Sequence, residues 1–364
     1  GLKGYETTDS VAFCGETCHT VMEPENTTYQ KSPHAQVPCA ECHIGSGASF
    51  WVRSKIDGIR QVVKTMTNSY DRPIATPVEN LRPAQQTCEQ CHWPSQFYGR
   101  KLITQHYYRS DEPNSPWTIS LAVNVGGGEG TQDAGSDGIH YHMLAGKTIE
   151  YIAIDEDRQV IPWVRVTRDD GTVSVFSDPN LTYPDPDDSE TELRTFDCVD
   201  CHNRPSHQFL PPAVAVNEAL AIGSISRDLP FVRRNGLELL NAPYETHEEA
   251  EEVIRSALTA FYWETYPDRA DELSGEIERA ADTLVDIYAH NFFPEMKTDY
   301  RAHLNNLSHF VNEGCFRCHG SDKVDESGNT ITKDCESCHT IVAQGPSDSL
   351  GDLDQDLTGL DFVH

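Results

Sequence analysis

Every one of the twelve cysteines falls in a pair whose second member is followed at once by histidine. Only 37% of the 364 residues are hydrophobic, and two long intervals hold no cysteine. These observations predict a multihaem c-type cytochrome, folded around bound haem more than around side chains. The expected fold has little regular secondary structure around stacked haems, a small β insertion over about residues 115–178 and a helical segment over about 212–291. In chain order this gives a three-haem region (1–110), a β-rich insertion (111–190), a single-haem segment (191–211), a helical region (212–291) and a two-haem region with an acidic arm (292–364).

The first region holds motif I, Cys14 and Cys18 with His19, then motif II, Cys39 and Cys42 with His43, and motif III, Cys88 and Cys91 with His92. Motif IV is Cys198, Cys201 and His202; motif V is Cys315, Cys318 and His319; motif VI is Cys335, Cys338 and His339. Histidine is 16 of 364 residues, so six such successions arise by chance with odds on the order of 10⁻⁸. Zinc and disulfide readings do not require a histidine after each pair. Haem attachment does: the two thiols form thioethers with one haem and the next histidine binds its iron. Six covalent c-type haems are therefore expected, with His19, His43, His92, His202, His319 and His339 as proximal ligands. Motif I has three residues between its cysteines where the others have two, and the extra residue should bulge the loop.

Six haems need up to six further ligands for closed, electron-carrying irons. The candidates are His34, His106, His140, His142, His207 and His309. His34 and His309 stand just before motifs II and V, and His207 just after motif IV. Each has too short a tether to reach around its own haem and suits a neighbouring one. His290, His303 and Met22 are reserves, and His247 and His364 read as structural or surface residues. A thioether at Met22 would raise the iron's potential relative to a second histidine.

Between motifs III and IV, residues 117–125, 148–154, 159–166 and 172–176 read as strands, rich in Val, Ile and aromatics and bounded by turn residues. The glycine-rich stretch 126–138 lacks the helix context of a phosphate loop, and 183–190 reads as a linker, with a calcium-binding loop as the weaker alternative. Between motifs IV and V, Thr246 and Glu249 form a capping box. Ala250, Ile254 and Leu258, then Leu273, Ile277 and Leu284, follow helical periodicity. The acidic tail 348–364 reads as an extended arm.

With 58 acidic against 28 basic residues the net charge is −30, which excludes a nucleic-acid partner. No apolar run approaches the roughly 18 residues of a membrane span. A start at Gly1 suits a processed chain, and covalent haem places assembly in the periplasm or outside the cell. No Ser/His/Asp set or carboxylate pair stands out, so an electron carrier is expected rather than an enzyme.

The stretch "FCGETCHTVMEPENTTYQKSPHAQVPCAECH", followed by "SKIDGIRQV" and "TCEQCHWP", resembles the N-terminal region of NapC/NirT-family multihaem cytochromes over about residues 10–100. The later "CVDCHNRPSHQF", "NNLSHF" and "GCFRCH…CESCHT" resemble larger multihaem relatives. The resemblance implies electron transfer from membrane quinol to periplasmic acceptors, with a methionine after the first motif binding iron in some members. Met22 lies one residue beyond that methionine's usual place. Redox-partner proteins or extracellular acceptors are the expected partners. The rival roles are a self-assembling filament subunit, a haem reductase with one open iron, and a subunit working with a membrane quinol-oxidising partner.

Overall fold

A computed structural model describes residues 10–18, 20–44, 48–78, 81–126, 138–143 and 146–350. His19, His364, the glycine-rich residues 127–137 and most of the acidic arm lie outside the described residues.

Motif I opens the described chain in a π-helical turn, Phe13–Cys18. A π turn closes an i→i+5 ring, one residue wider than an α turn. The extra residue between Cys14 and Cys18 is absorbed there. A short 3₁₀ turn, Thr20–Met22, leads into α1 (Glu23–Gln30), which starts with Pro24 and the acids Glu23 and Glu25 in its first turn. The Tyr29 hydroxyl donates to the carbonyls of Ala35 and Val37, both at 2.9 Å, folding the His34 turn back onto α1. Motif II is itself a short helix, α2 (Cys39–His43). Helix α3 (Ala48–Met66) follows, where the sequence reading placed no element.

The β insertion is two antiparallel sheets. Strands β1 (Gly99–Tyr108) and β2 (Pro116–Gly126) form a hairpin, and β7 (His339–Pro346) pairs on β2's other edge. β7 begins on the histidine of motif VI, so the last motif is stitched to the insertion through Val123 opposite His339. The second sheet runs β5 (Val173–Ser177), β4 (Trp163–Arg168), β3 (Lys147–Ile152), β6 (Arg194–Thr195). Ile149, Tyr151, Ile161 and Val164 form its small core. Four strands match the expected insertion within a few residues, whereas β1, β6 and β7 extend the sheets beyond it.

After α4 (Cys198–Cys201, motif IV) the chain builds the helical region: α5 (Pro212–Ala221), α6 (Val232–Asn241), α7 (His247–Thr265), α8 (Pro267–Ala270) and α9 (Ser274–Asn291). Thr246 caps α7 as its spacing predicts: its hydroxyl accepts from Glu249 N at 3.1 Å, and the Glu249 carboxylate accepts from Glu245 N at 2.7 Å. Ala250, Ile254, Leu258 and Tyr262 on α7 meet Ile277, Ala280 and Leu284 on α9 in one buried core. Asn114, in the β1–β2 turn with φ +48°, donates to the Arg227 and Leu229 carbonyls and accepts from Arg233 N. It fastens the first sheet to the helices. Motif VI contributes α10 (Cys335–Cys338). No described helix is long and apolar enough to cross a membrane.

Candidate haem-binding sites

The motif cysteines are set at the starts of short helical turns. Asp197 caps α4, accepting from Val199 N at 3.0 Å, and Asp334 caps α10, accepting from Glu336 N at 3.1 Å. None of the eleven cysteines with described side chains is in a disulfide. Their thiols lie close enough to influence one another. Burial first, and the neighbouring Cys88 second, push the Cys198 thiol up to about 11. Burial and then Cys315 push Cys201 up to about 12. Burial, then Cys88, raises Cys42, and burial, then Cys315, raises Cys338. Motif II thus neighbours motif III, III neighbours IV, IV neighbours V, and V neighbours VI. From motif II to motif VI, neighbours in sequence are neighbours in space.

Five motif histidines each face one of the spare histidines. Ring centroids are 6.2 Å apart for His43 and His207, 6.0 Å for His92 and His34, and 6.4 Å for His202 and His140. They are 5.7 Å apart for His319 and His142 and 6.2 Å for His339 and His309. His34, His207 and His309 each face a motif other than the one they flank. His140 and His142, two residues apart, face two different motifs.

The local chain makes these placements. Gly138 has φ +124°, and a Cβ there would lie 2.5 Å from Gly126 Cα. This close approach brings the far end of the loop back onto β2 just before His140. Gly314 has φ +48°, and a Cβ would overlap the Ser308 carbonyl at 1.8 Å, so the turn between His309 and Cys315 requires glycine. Nδ1 of His34, His207 and His140 meets the carbonyls of Pro205, Glu25 and Val125 at 3.1, 2.9 and 3.0 Å. Nδ1 of His142 and His319 meets those of Ile139 and Thr332 at 3.1 and 2.7 Å. A carbonyl only accepts, so in each ring Nδ1 carries the hydrogen and Nε2 keeps its lone pair for a metal. Burial holds His142 and His207 down to about 4, so both imidazoles stay neutral.

The remaining candidates differ. His106 sits exposed on β1 with Nδ1 3.2 Å from the Thr118 hydroxyl, and no ring contact joins it to a described motif histidine. His247 uses Nε2, 2.7 Å from the Phe292 carbonyl, which matches its expected structural role. His290 bonds the Asp286 carbonyl one turn back on α9. His303 is 3% exposed, with Nδ1 3.3 Å from the Thr76 hydroxyl and a buried Nε2 that has no hydrogen-bond partner. That Nε2 lies 3.8 Å from the Glu25 carboxylate on α1, three residues past half-buried Met22.

A family model for the N-terminal region of NapC/NirT cytochromes c matches residues 2–86. Cytochrome c-type protein ImcH of Geobacter sulfurreducens is 42% identical over 344 residues, covering 94% of this chain and 67% of its own length. The chain belongs to the NapC/NirT-type c-type cytochromes. No solved structure matches it. Membership implies covalently bound c-type haem and an electron-transfer role.

The donors of this cytochrome fit that group. Two imidazoles binding one iron from opposite faces at about 2 Å each place their centroids about 6 Å apart. All five pairs fall near that spacing. Their interplanar angles run from 4° to 87°.

Sequence reasoning missed the residues that dock one motif on the next, because they occupy the variable positions inside the motifs. Asp200 of motif IV accepts from Arg194 at 2.7 Å and from the Tyr151 hydroxyl at 2.6 Å, while Asp197 accepts from Arg194 at 3.2 Å. Arg317 of motif V donates to the carbonyls of Asp200 at 2.6 Å, Gly314 at 2.9 Å and Arg158 at 2.8 Å. A charged residue within each Cys-x-x-Cys was the available signal.

Proposed function

We propose that this cytochrome carries electrons outside the cytoplasm along six covalently attached c-type haems, five of them held between paired histidines. The thioether residues are Cys14 and Cys18, Cys39 and Cys42, Cys88 and Cys91, Cys198 and Cys201, Cys315 and Cys318, and Cys335 and Cys338. The proximal ligands are His19, His43, His92, His202, His319 and His339. The observation that carries the reading is the set of five facing ring pairs, 5.7–6.4 Å apart. On this basis His207 serves motif II, His34 motif III, His140 motif IV, His142 motif V and His309 motif VI. The thiol neighbourhoods support an electron path II–III–IV–V–VI.

When bound, each haem supplies a one-electron iron couple. The paired histidines would hold each iron, and the surrounding residues would exclude water and set its potential through ligand choice and burial. For motif I, Met22 and His303 are the two remaining donors beside α1. His106, on an exposed strand, is left without a haem to serve. Redox proteins are the partners this role requires.

A pyridine haemochrome assay should count six haems per chain. Electron paramagnetic resonance should find low-spin irons throughout motifs II–VI. His34→Ala should turn one haem high-spin, and mass mapping with potentiometry should assign the change to motif III. High-spin iron in the unaltered protein at motifs II–VI would overturn the paired-ligand reading and favour a substrate-reducing site. Methionine at motif I would show as a thioether-to-iron charge-transfer band lost in Met22→Leu, whereas His303 would show as high-spin iron in His303→Ala.

A further inference from the structure

Each attachment motif carries one charged residue between its cysteines, and one of the six differs in sign. Glu16, Glu41, Glu89, Asp200 and Glu336 are acids, whereas motif V holds Arg317. Arg317 is 7% exposed. Its guanidinium donates to the carbonyls of Gly314, Arg158 and Asp200, and these neutral acceptors hold the cation without cancelling its charge. Lys323, five residues past Cys318, is also buried, and its ammonium bonds to exposed Asp322. Lys333 Nζ lies 5.1 Å from the centre of the Phe316 ring of the same motif.

Motif IV, next to it, is the opposite. The buried Asp197 and Asp200 flank Cys198 and share the single cation Arg194 among the described residues, which leaves an excess of negative charge. The sulfurs register the difference. Burial pushes the Cys318 thiol up, and Arg317 and then Lys323 work against it. At Cys198 burial is joined by Cys88, Asp197 and Glu89, which raise the thiol further. Reducing a haem iron adds one negative charge, so a buried cation beside it favours the reduced form and a buried carboxylate disfavours it. We infer that Arg317, with Lys323 in support, makes motif V the electron-collecting site of the path, with the highest potential of the five irons held between paired histidines. One electron passing from motif IV to motif V oxidises the first iron and reduces the second, with no bond made or broken. The opposed charges of the two motifs set that direction. The inference rests on the haem reading proposed above.

The test is a potentiometric titration of the full haem-loaded protein, followed by absorbance and electron paramagnetic resonance. His142→Ala turns the motif V iron high-spin and so marks its component, which should have the highest midpoint among motifs II–VI. Arg317→Gln should lower the equilibrium constant for electron transfer into motif V about tenfold, which is 59 mV for one electron. Arg317→Lys keeps the charge but loses the planar fork, and should restore most of that loss. Lys323→Gln should lower the constant several-fold. Glu336→Arg places an arginine between the cysteines of motif VI and should raise that motif's midpoint, which keeps the test open if Arg317→Gln fails to assemble. A motif V midpoint below any other of the five overturns the proposal. So do unmoved midpoints in Arg317→Gln or Glu336→Arg, or a loss in Arg317→Lys equal to that in Arg317→Gln, which would assign Arg317 a role in packing alone. Such a result with low-spin iron at motifs II–VI would strike this inference and leave the paired-ligand reading standing, whereas a motif V without haem would overturn both.

Discussion

Residues 212–291 and the first hundred residues are of similar length but are held together differently. In the helical region Val216, Leu240, Ile254, Leu258 and Leu284 are 0% exposed, and the helices cover one another. In the described part of the first hundred, Tyr29 and Ala84 are the buried members of the hydrophobic core, while Val78, Trp93 and Tyr98 are 47–59% exposed. A buried Leu or Val contributes about 1.5–3 kcal/mol, so the helical region has a driving force of its own and the first region lacks one. The proposed haems explain the contrast. Where a cofactor supplies the apolar interior, the polypeptide supplies attachment points, turns and ligands.

The contrast breaks most completely if haem is withheld. Replacing the motif cysteines with serine should leave 212–291 protected in hydrogen exchange and largely strip protection from 10–110 and 292–350. Equal loss in both parts would mean that the helical core also depends on haem. The next largest effect is expected where the two modes of stabilisation meet. Arg194, whose guanidinium stays charged against its burial because it is bonded to the Asp200 carboxylate, offsets the repulsion between the buried Asp197 and Asp200 behind motif IV. Arg194→Leu leaves those carboxylates facing each other and should cost about 3–5 kcal/mol in denaturant unfolding. It should also perturb the haems of motifs IV and V, because Arg317 hangs on the Asp200 carbonyl.

The six Cys–Cys–His motifs were legible because the haem attachment proposed for them demands an unvarying residue pattern. The α7 and α9 helices were legible because their buried positions repeat with the helical period. β7 was not, since its eight residues begin on the histidine of motif VI and pair with β2 more than two hundred positions earlier. Helix α3 was missed because its apolar stripe has no core to match it. The spare histidines could be ranked from their tethers, but who faces whom needed the three-dimensional path: His34 and His207 each cross to another motif. His106 ranked with the others by sequence distance, yet it lies on an exposed strand that the reading had not placed.

Within the helical region the contrast can be sharpened by substitutions that should leave every haem alone. Leu258 is 0% exposed in the α7–α9 core, and Leu258→Ala should destabilise that region by about 2–5 kcal/mol, depending on how far the cavity collapses. Its Soret and low-spin signatures should not change; a shifted spectrum would mean that the two regions unfold as one cooperative unit.

Thr246→Ala is the mildest test. It removes the hydroxyl that accepts from Glu249 N but leaves the Glu249 carboxylate bonded to Glu245 N, so one of two cap interactions survives. About 1 kcal/mol is the expected cost, read as faster exchange in the first turn of α7. That turn also holds His247, whose Nε2 accepts no metal because the Phe292 carbonyl occupies it at 2.7 Å. Fraying the cap should therefore loosen His247 without altering any iron. A haem spectrum that responded to Thr246→Ala would make His247 a ligand after all, and would erase the boundary between the self-sufficient region and the haem-dependent one.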